Sequence, residues 1–203
     1  MIKSALVASI FAAALVGVAD ASDAAKAYEV CAACHGPDGA GNNDLNAPRI
    51  AGLPAWYSAQ QLQNFKAGIR GTNAKDVYGT QMRPMAMTLA DDAAINDISA
   101  YVATLEAAKP GATVKGDIEK GKAAYATCAA CHGADGSGME ALKAPPLAGQ
   151  ADWYVERQLL AYKNGLRGVD TKDSLGMQMR PMAMMLATDE AVRDVVAYIA
   201  TLD

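Results

Sequence analysis

Histidine and cysteine, the residues that most often bind metals or attack substrates, are scarce in this chain of 203 residues. It has two histidines and four cysteines, and aromatic residues make up only 6%. A centre that needs several histidines in one half of the chain is therefore excluded. Positive charge is not in excess either, because 18 lysines and arginines face 22 acidic residues. A nucleic-acid-binding protein would have a clustered basic surface, so nucleic acid is not expected as a partner.

Long apolar runs are missing after the first 20 residues. Residues 5–19 form an apolar run of 15 residues, which follows Lys3 and ends at the small-residue pattern of Ala19, Asp20 and Ala21. This arrangement is typical of an export signal. The apolar run is also too short to span a bilayer, which takes about 20 residues. The sequence therefore predicts a signal peptide over residues 1–21, cleavage after Ala21 and a periplasmic protein.

All the cysteines and histidines lie in two copies of the pentapeptide C-A-A-C-H, 97 residues apart: Cys31, Cys34 and His35, then Cys128, Cys131 and His132. A cysteine pair followed at once by histidine is the attachment pattern of haem c. Residues three apart share one face of a helix, so two thiols can form thioethers with the two vinyl groups of one porphyrin. The adjacent imidazole then lies beneath the ring and ligates iron. The two copies predict two covalently bound haem c groups.

Other uses of a C-x-x-C pair require features that this sequence lacks. A structural zinc ion needs four ligands, whereas one motif supplies three, so the other copy or carboxylates would have to complete the site. A redox dithiol of the thioredoxin type needs a βαβ context, whereas the flanking sequence is rich in alanine and favours helix. A short-loop disulfide is the third alternative. The haem interpretation is therefore preferred.

The chain contains an internal duplication. Residues 31–105 align with residues 128–202 without a gap, and 42 of the 75 positions are identical. We predict two tandem mono-haem domains, residues 22–109 and 117–203, joined by a turn-rich linker over residues 110–116. Domains of under 90 residues bury limited surface, and the haem would act as the missing core of each. We therefore expect the haem-free chain to be poorly folded.

The pattern of apolar residues predicts an all-α fold. Residues 54–66 and 151–163 are predicted helices, the first opened by proline and stopped by Gly68. Residues 91–105 are predicted to form a helix with Asp91 as its N-cap. In this helix and its duplicate, apolar residues at helical spacing predict two core-facing stripes: Ile95, Ile98, Val102 and Leu105, then Val192, Val195, Ile199 and Leu202. The methionine-rich segments before these helices are predicted to be loops.

The sixth position on each iron is predicted to be filled by methionine. Both histidines are already used beneath the rings, and every thiol is consumed, so methionine is the remaining strong ligand. Three methionine pairs survive the duplication: Met82 with Met179, Met85 with Met182, and Met87 with Met184. Any single methionine is adequately explained as core filling. The residues alone leave the choice among the three pairs open.

The order of these motifs resembles class I cytochrome c, and its tandem form resembles the di-haem cytochrome c₄ family. The shared features are a haem motif ending a first helix, a P-x-[IL]-A-G segment, a Y-x-x-x-Q-L helix followed by K-x-G-x-R-G, and methionine before a last helix with tyrosine. The resemblance implies Met82 and Met179 as iron ligands, with Met85 and Met182 as the alternatives. It also implies that the carbonyls of Pro48 and Pro145 accept hydrogen bonds from His35 and His132.

Ligation by imidazole and thioether predicts electron transfer rather than catalysis. A six-coordinate iron has no vacant site for a substrate, and soft sulfur favours the ferrous state. We therefore expect a soluble periplasmic electron-transfer protein with redox protein partners, no small-molecule substrate and no enzyme activity. The resemblance implies a shuttle from a quinol-oxidising complex to a terminal oxidase. The alternatives are a fixed cytochrome subunit of a larger redox complex and a di-haem redox enzyme with one open iron.

Overall fold

The structure is a computed structural model that describes residues 21–203. The predicted signal peptide lies outside the described residues except for Ala21. The described part contains eight α-helices, in chain order α1 (Ala21–His35), α2 (Ala55–Lys66), α3 (Val77–Met87), α4 (Asp92–Thr104), α5 (Ile118–His132), α6 (Asp152–Lys163), α7 (Ser174–Met184) and α8 (Asp189–Ile199). Its β-pairing is limited to two isolated bridges. The predicted all-α fold is confirmed. Within these residues, every helix is too short or too polar to cross a membrane.

The four helices of the first half are repeated in the second half. In each half the first and last helices pack together, and the second helix packs against the third and the last. Thr104 ends α4 and Ile118 begins α5, so the predicted linker lies within the connecting segment. The predicted domain boundaries themselves stay a prediction.

Several helix ends are where local sequence signals place them. Pro54 immediately precedes α2, and Gly68 follows its end with a φ of +72°, which a residue without a side chain adopts readily. Asp91 caps α4, since its carboxylate accepts a hydrogen bond from the Ala94 N–H at 2.9 Å. Leu105, expected to be the last residue of α4, is instead extended, because the helix ends at Thr104.

The methionine-rich segments are helices, so their prediction as loops was wrong. Asp76 caps α3 by accepting from the Gly79 N–H at 3.0 Å, and Asp173 caps α7 through Gly176 at 2.9 Å. Each helix contains a proline in its second half. A proline removes one backbone donor and disfavours the helix around it, but the capped first turn and packing against the preceding helix maintain the structure.

The predicted apolar stripes form the core of each half. Ile95, Ile98 and Val102 are 0%, 2% and 6% exposed, and their duplicates are buried as well. The first core cluster contains three buried side chains, Tyr28 among them, with Cys31 and Leu62 packed at its edge. A cluster of three is a small core for a domain of this size.

The first and last helices of the second half approach each other closely. Gly121 of α5 lies against the backbone carbonyl of Asp194 in α8, so that a Cβ atom at Gly121 would overlap this carbonyl. The Asp194 carboxylate also accepts a hydrogen bond from the Asp117 N–H at 2.7 Å, just before α5 begins. Glycine at position 121 therefore sets the distance between these two helices.

A buried carboxylate attaches the connecting segment to the second half. Asp152, the first residue of α6, is 3% exposed. One of its oxygens accepts from the backbone N–H groups of Thr113 and Val114 at 2.5 and 2.6 Å. The other accepts from the Thr113 hydroxyl at 2.8 Å and the Trp153 N–H at 2.7 Å. Thr113 and Val114, in the predicted linker, are thus fixed to α6.

The two halves meet through polar side chains that form a closed ring, here called the Arg–Gln ring: Gln61, Arg70, Gln158 and Arg167. Arg70 donates to the Oε1 atoms of Gln61 and Gln158 at 2.8 and 2.9 Å. Arg167 donates to the same two oxygens at 2.7 and 2.8 Å. Both arginines are more than nine-tenths buried. The four residues of the ring are therefore arranged with approximate two-fold symmetry between the halves.

Candidate functional site

Each C-A-A-C-H motif forms the last turn of the first helix in its half. Cys31 and Cys34 lie in α1, and Cys31 is partly buried against the core cluster while Cys34 is exposed. Cys128 and Cys131 have the same difference in exposure at the end of α5. Residues three apart on a helix lie on one face. Both thiols of a pair are therefore on the side of the helix where one planar group can meet them.

The two histidines are buried and oriented by backbone carbonyls. His35 and His132 are 6% and 5% exposed. Nδ1 of His35 lies 2.8 Å from the Pro48 oxygen, and Nδ1 of His132 lies 2.8 Å from the Pro145 oxygen. Since a carbonyl can only accept, Nδ1 carries the proton, and in the neutral ring Nε2 keeps its lone pair. Both rings thus present a nitrogen suited to binding a metal.

A tight glycine loop places the Pro48 carbonyl beside His35. Gly41 has a φ of +89° and donates its N–H to the His35 carbonyl at 2.8 Å. A Cβ atom at Gly41 would meet the backbone of Pro48 and Arg49 at 2.7 and 2.6 Å, so only glycine fits. The second half uses Gly138 in the same way.

Burial keeps the imidazoles neutral. It lowers the pKa of His35 and of His132, and the hydrogen bond to the backbone carbonyl opposes this effect only in part. A metal ligand must be unprotonated at the binding nitrogen. Desolvation therefore favours the neutral imidazole, and the Nδ1 hydrogen bond leaves Nε2 of that neutral ring unprotonated.

The three repeated methionine pairs differ in exposure. Met82 and Met179 are half-buried on α3 and α7. Met85 and Met182 are 39% and 37% exposed, and Met87 and Met184 are exposed by about half of their surface, at 53% and 52%. A ligand enclosed by the protein is expected to be among the less exposed side chains. The exposures therefore favour the first pair without placing any sulfur on an iron.

Both halves contain guanidinium groups with a buried, unpartnered nitrogen. The Nε atoms of Arg70, Arg83, Arg167 and Arg180 are buried and have no hydrogen-bond partner among the described residues. Burial raises the pKa of Tyr154, but the charges of Arg70 and Arg167 outweigh burial, and the net pKa shift is downward. The surroundings of the Arg–Gln ring are therefore positive.

These features fit haem c. Its iron matches the neutral buried imidazoles, its apolar ring would complete the small cores, and its two carboxylates would satisfy the unpartnered guanidinium nitrogens. The cysteine pairs supply the thiols for its covalent attachment.

Sequence reasoning missed two tyrosines that support the motifs. The Tyr28 hydroxyl donates to the Gly36 carbonyl at 2.8 Å, and the Tyr125 hydroxyl donates to the Gly133 carbonyl at 2.8 Å. Each of these glycines directly follows a motif histidine. The available signal was the 97-residue spacing of the two tyrosines, which extends the duplication before residue 31.

A family model described as cytochrome c matches the chain twice, at residues 21–106 and 118–203. The "Thiosulfate dehydrogenase electron acceptor" of Stutzerimonas stutzeri is 33% identical over 91% of this chain and 88% of its own length. The cytochrome c4 of Azotobacter vinelandii is 31% identical over 93% of this chain and 94% of its own.

Two solved structures share the fold over most of the chain. Reduced recombinant cytochrome c4 from Pseudomonas stutzeri gives a TM-score of 0.71 at 28% identity, covering 92% of this chain and all of that one. Thiosulfate dehydrogenase (TsdBA) from Marichromatium purpuratum gives a TM-score of 0.74 at 30% identity, covering 91% of this chain and 40% of that one. The similarity therefore extends across both halves and their connection.

Proposed function

Because the chain belongs to the cytochrome c family, in its di-haem cytochrome c4 group, we propose that it is a soluble periplasmic carrier that accepts and donates one electron at each haem. The two haem c groups supply the reversible one-electron couple. The observation that carries this proposal is the pair of buried, neutral imidazoles, each with Nδ1 bound to a carbonyl and each in a half with its own methionine helix.

We assign each role to residues that the duplication repeats. The thioether positions are Cys31, Cys34, Cys128 and Cys131, the iron ligands are His35, Met82, His132 and Met179, and the carbonyls that orient the imidazoles are those of Pro48 and Pro145. A hydrogen bond at Nδ1 fixes the ring and strengthens the other nitrogen as a ligand. The half-buried state of Met82 and Met179 supports their choice over the more exposed pairs.

A ligand on each side of the iron explains why transfer of electrons, not chemistry on a bound molecule, is the proposed role. With both axial positions filled by protein, no position remains for a substrate. The protein supplies rigidity, since the buried imidazole is held by the carbonyl and the methionine lies on a capped helix. We accordingly expect redox proteins as partners, no small-molecule substrate and no enzyme activity.

The proposal that the chain is a periplasmic di-haem protein also includes its export and its domain organisation. We propose cleavage after Ala21 and a linker over residues 110–116 between domains at residues 22–109 and 117–203. The hydrogen bonds from Thr113 and Val114 to Asp152 support a linker that is held against the second domain. The mass and N-terminal sequence of exported protein test the cleavage site.

Two electron donors are candidates. The first is a quinol-oxidising complex, with a terminal oxidase as acceptor. The second is a thiosulfate dehydrogenase, with this chain as its electron acceptor, either diffusing or docked as a subunit. It is favoured by relatives named "Thiosulfate dehydrogenase electron acceptor" in Stutzerimonas stutzeri and Thiomonas intermedia, at 33% and 36% identity. Stopped-flow reduction of the oxidised protein by each donor system distinguishes them.

Visible and near-infrared spectra of the holoprotein test the ligand set. The parent should show two haems per chain by pyridine haemochrome and a near-infrared sulfur-to-iron band. Met82→Ala and Met179→Ala should each remove about half of this band, because each deletes one of two ligands. Met85→Ala and Met182→Ala are matched controls that should keep it. Rapid binding of carbon monoxide to one haem of the reduced parent would instead support a di-haem enzyme.

A further inference from the structure

Arg157 of α6 crosses from the second half to the first. Its guanidinium carbon lies 3.9 Å from the ring centroid of Tyr78 and 4.7 Å from that of Trp153. Its Nη2 donates to Oδ1 of Asn46 at 2.5 Å, and its Nη1 donates to the Asn46 carbonyl at 3.4 Å. One side chain of the second half thus contacts two separate elements of the first.

Both elements carry groups assigned to the first iron. Tyr78 lies one helical turn before Met82 on α3, so the two side chains share a face. Asn46 lies two residues before Pro48, whose carbonyl is bound by His35. Asn46 also has a φ of +56°, so this loop adopts a left-handed conformation that an added contact can stabilise. Arg157 therefore joins the methionine helix to the loop that orients the histidine.

Among residues 21–203, which the structure describes, no equivalent contact is made by the second half, despite the duplication. The position corresponding to Arg157 is Gln60, that of Tyr78 is Leu175, and that of Asn46 is Lys143. Helix α7 contains no aromatic residue on which a cation could stack. Lys143 instead lies 5.0 Å from the Trp56 ring centroid, on α2.

The methionine helix of the second half borders a cavity. A cavity of about 220 Å³ lies along α7, lined by Gly168, Val169, Met177, Arg180, Pro181 and Met184. Space beside a helix lowers the cost of displacing it. Helix α7 has this space at its side and lacks the contact that Arg157 makes with α3.

We infer that Arg157, stacked on Tyr78 and hydrogen-bonded to Asn46, is a positioning residue that makes the N-terminal iron hold its methionine more firmly than the C-terminal iron does. The inference rests on the proposed ligands Met82 and Met179. A desolvated cation on an aromatic face and a charged hydrogen bond are both lost when Arg157 is replaced. We expect methionine displacement at the N-terminal haem to become about tenfold faster, which is about 1.4 kcal/mol.

Imidazole displacement in the oxidised holoprotein measures this effect. The iron–sulfur bond breaks and an iron–nitrogen bond forms, with no change in oxidation state, and loss of the near-infrared band reports the rate. A Met179→Ala background leaves only the Met82 signal, and a Met82→Ala background leaves only the Met179 signal. Arg157→Gln should accelerate displacement about tenfold in the first background and leave the second unchanged. Tyr78→Leu, which introduces the residue of the second half, should have the same effect as Arg157→Gln.

Lys143→Asn is the matched control, because it removes another cation that contacts the opposite half but touches neither α3 nor the loop of Asn46. Its rate should equal that of the parent in the Met179→Ala background, which reports the N-terminal haem. The control is confined to this background, because Lys143 lies two residues before Pro145, whose carbonyl orients His132. An Arg157→Gln rate equal to that of Lys143→Asn in the Met179→Ala background would overturn the inference alone. Equal acceleration at both haems would also overturn it, since this indicates general loosening of the interface. Absence of the band from both single-methionine backgrounds would overturn the ligand assignment as well.

Discussion

Replacing Asp152 with asparagine tests how the connecting segment is held. The substitution keeps one oxygen but puts an amide NH₂ in place of the oxygen that accepts from the Thr113 and Val114 N–H groups at 2.5 and 2.6 Å. The N–H groups of Thr113 and Val114 would then face the amide NH₂, which is itself a hydrogen-bond donor. Leaving a buried donor unsatisfied costs about 1–3 kcal/mol. We expect the free energy of unfolding to fall by about 3 kcal/mol in total, because the new amide can rotate to recover part of the loss.

Circular dichroism of the holoprotein in guanidinium chloride measures this change, with Asp92→Asn as control. Asp92 is an exposed first-turn residue of α4, so its replacement removes the same charge without the linker contacts. For a chain of this size, 3 kcal/mol corresponds to a decrease of about 6–12 °C in Tm. Equal unfolding midpoints for the two variants would refute the conclusion that Asp152 holds the linker.

The pH dependence provides a second test on Asp152. Burial raises the pKa of this carboxyl, but its hydrogen bonds outweigh burial and the net shift is downward. The folded state therefore favours the charged form. The stability difference between the parent and Asp152→Asn should be fully present above the unfolded pKa of about 3.9 and should disappear as pH falls through the lower folded value. A difference that is independent of pH from 6 to about 2 would contradict this.

Three further variants test other parts of the structure. Arg70→Gln removes a buried positive charge from the Arg–Gln ring, so the reduction potentials should fall, because a nearby positive charge favours the reduced state. A redox titration checks this, and exposed Lys122→Gln should change neither potential. Gly121→Ala should destabilise the second half by about 3 kcal/mol in chemical unfolding by pushing α5 from α8, whereas Gly111→Ala, with open space around it, should have no such effect. Tyr28→Phe removes one buried hydrogen bond and should cost about 1 kcal/mol by thermal melting. Because burial raises the pKa of Tyr28 to about 12, this contribution should persist below pH 10 and be lost as pH rises through 12.

The sequence predicted the parts of the fold that depend on local chemistry. The haem motifs, the Asp91 cap and the two apolar stripes involve residues within a few turns of each other, so spacing alone identifies them. The prediction that failed at the local level concerned the methionine-rich segments. They were predicted to be loops, whereas the Asp76 and Asp173 caps and packing on the preceding helix favour α-helix.

The contacts between the halves could not be predicted from the sequence. Arg70 and Gln158 are 88 residues apart, and both belong to sets repeated in each half. A repeated residue points equally to a role within each domain and to a role between them. Arg157 presents the opposite difficulty, because its aligned residue is Gln60 and its partners Tyr78 and Asn46 are far from it in sequence.

The Arg–Gln ring has a consequence for the order of assembly. It confines two like charges in a space from which water is removed, and both guanidiniums retain an unpartnered Nε. Closing the two halves on each other without an anion therefore works against electrostatic repulsion and desolvation. The four hydrogen bonds from the two arginines to Gln61 and Gln158 offset part of both costs. Each half supplies one arginine and one glutamine, so neither half can complete the ring before the two dock.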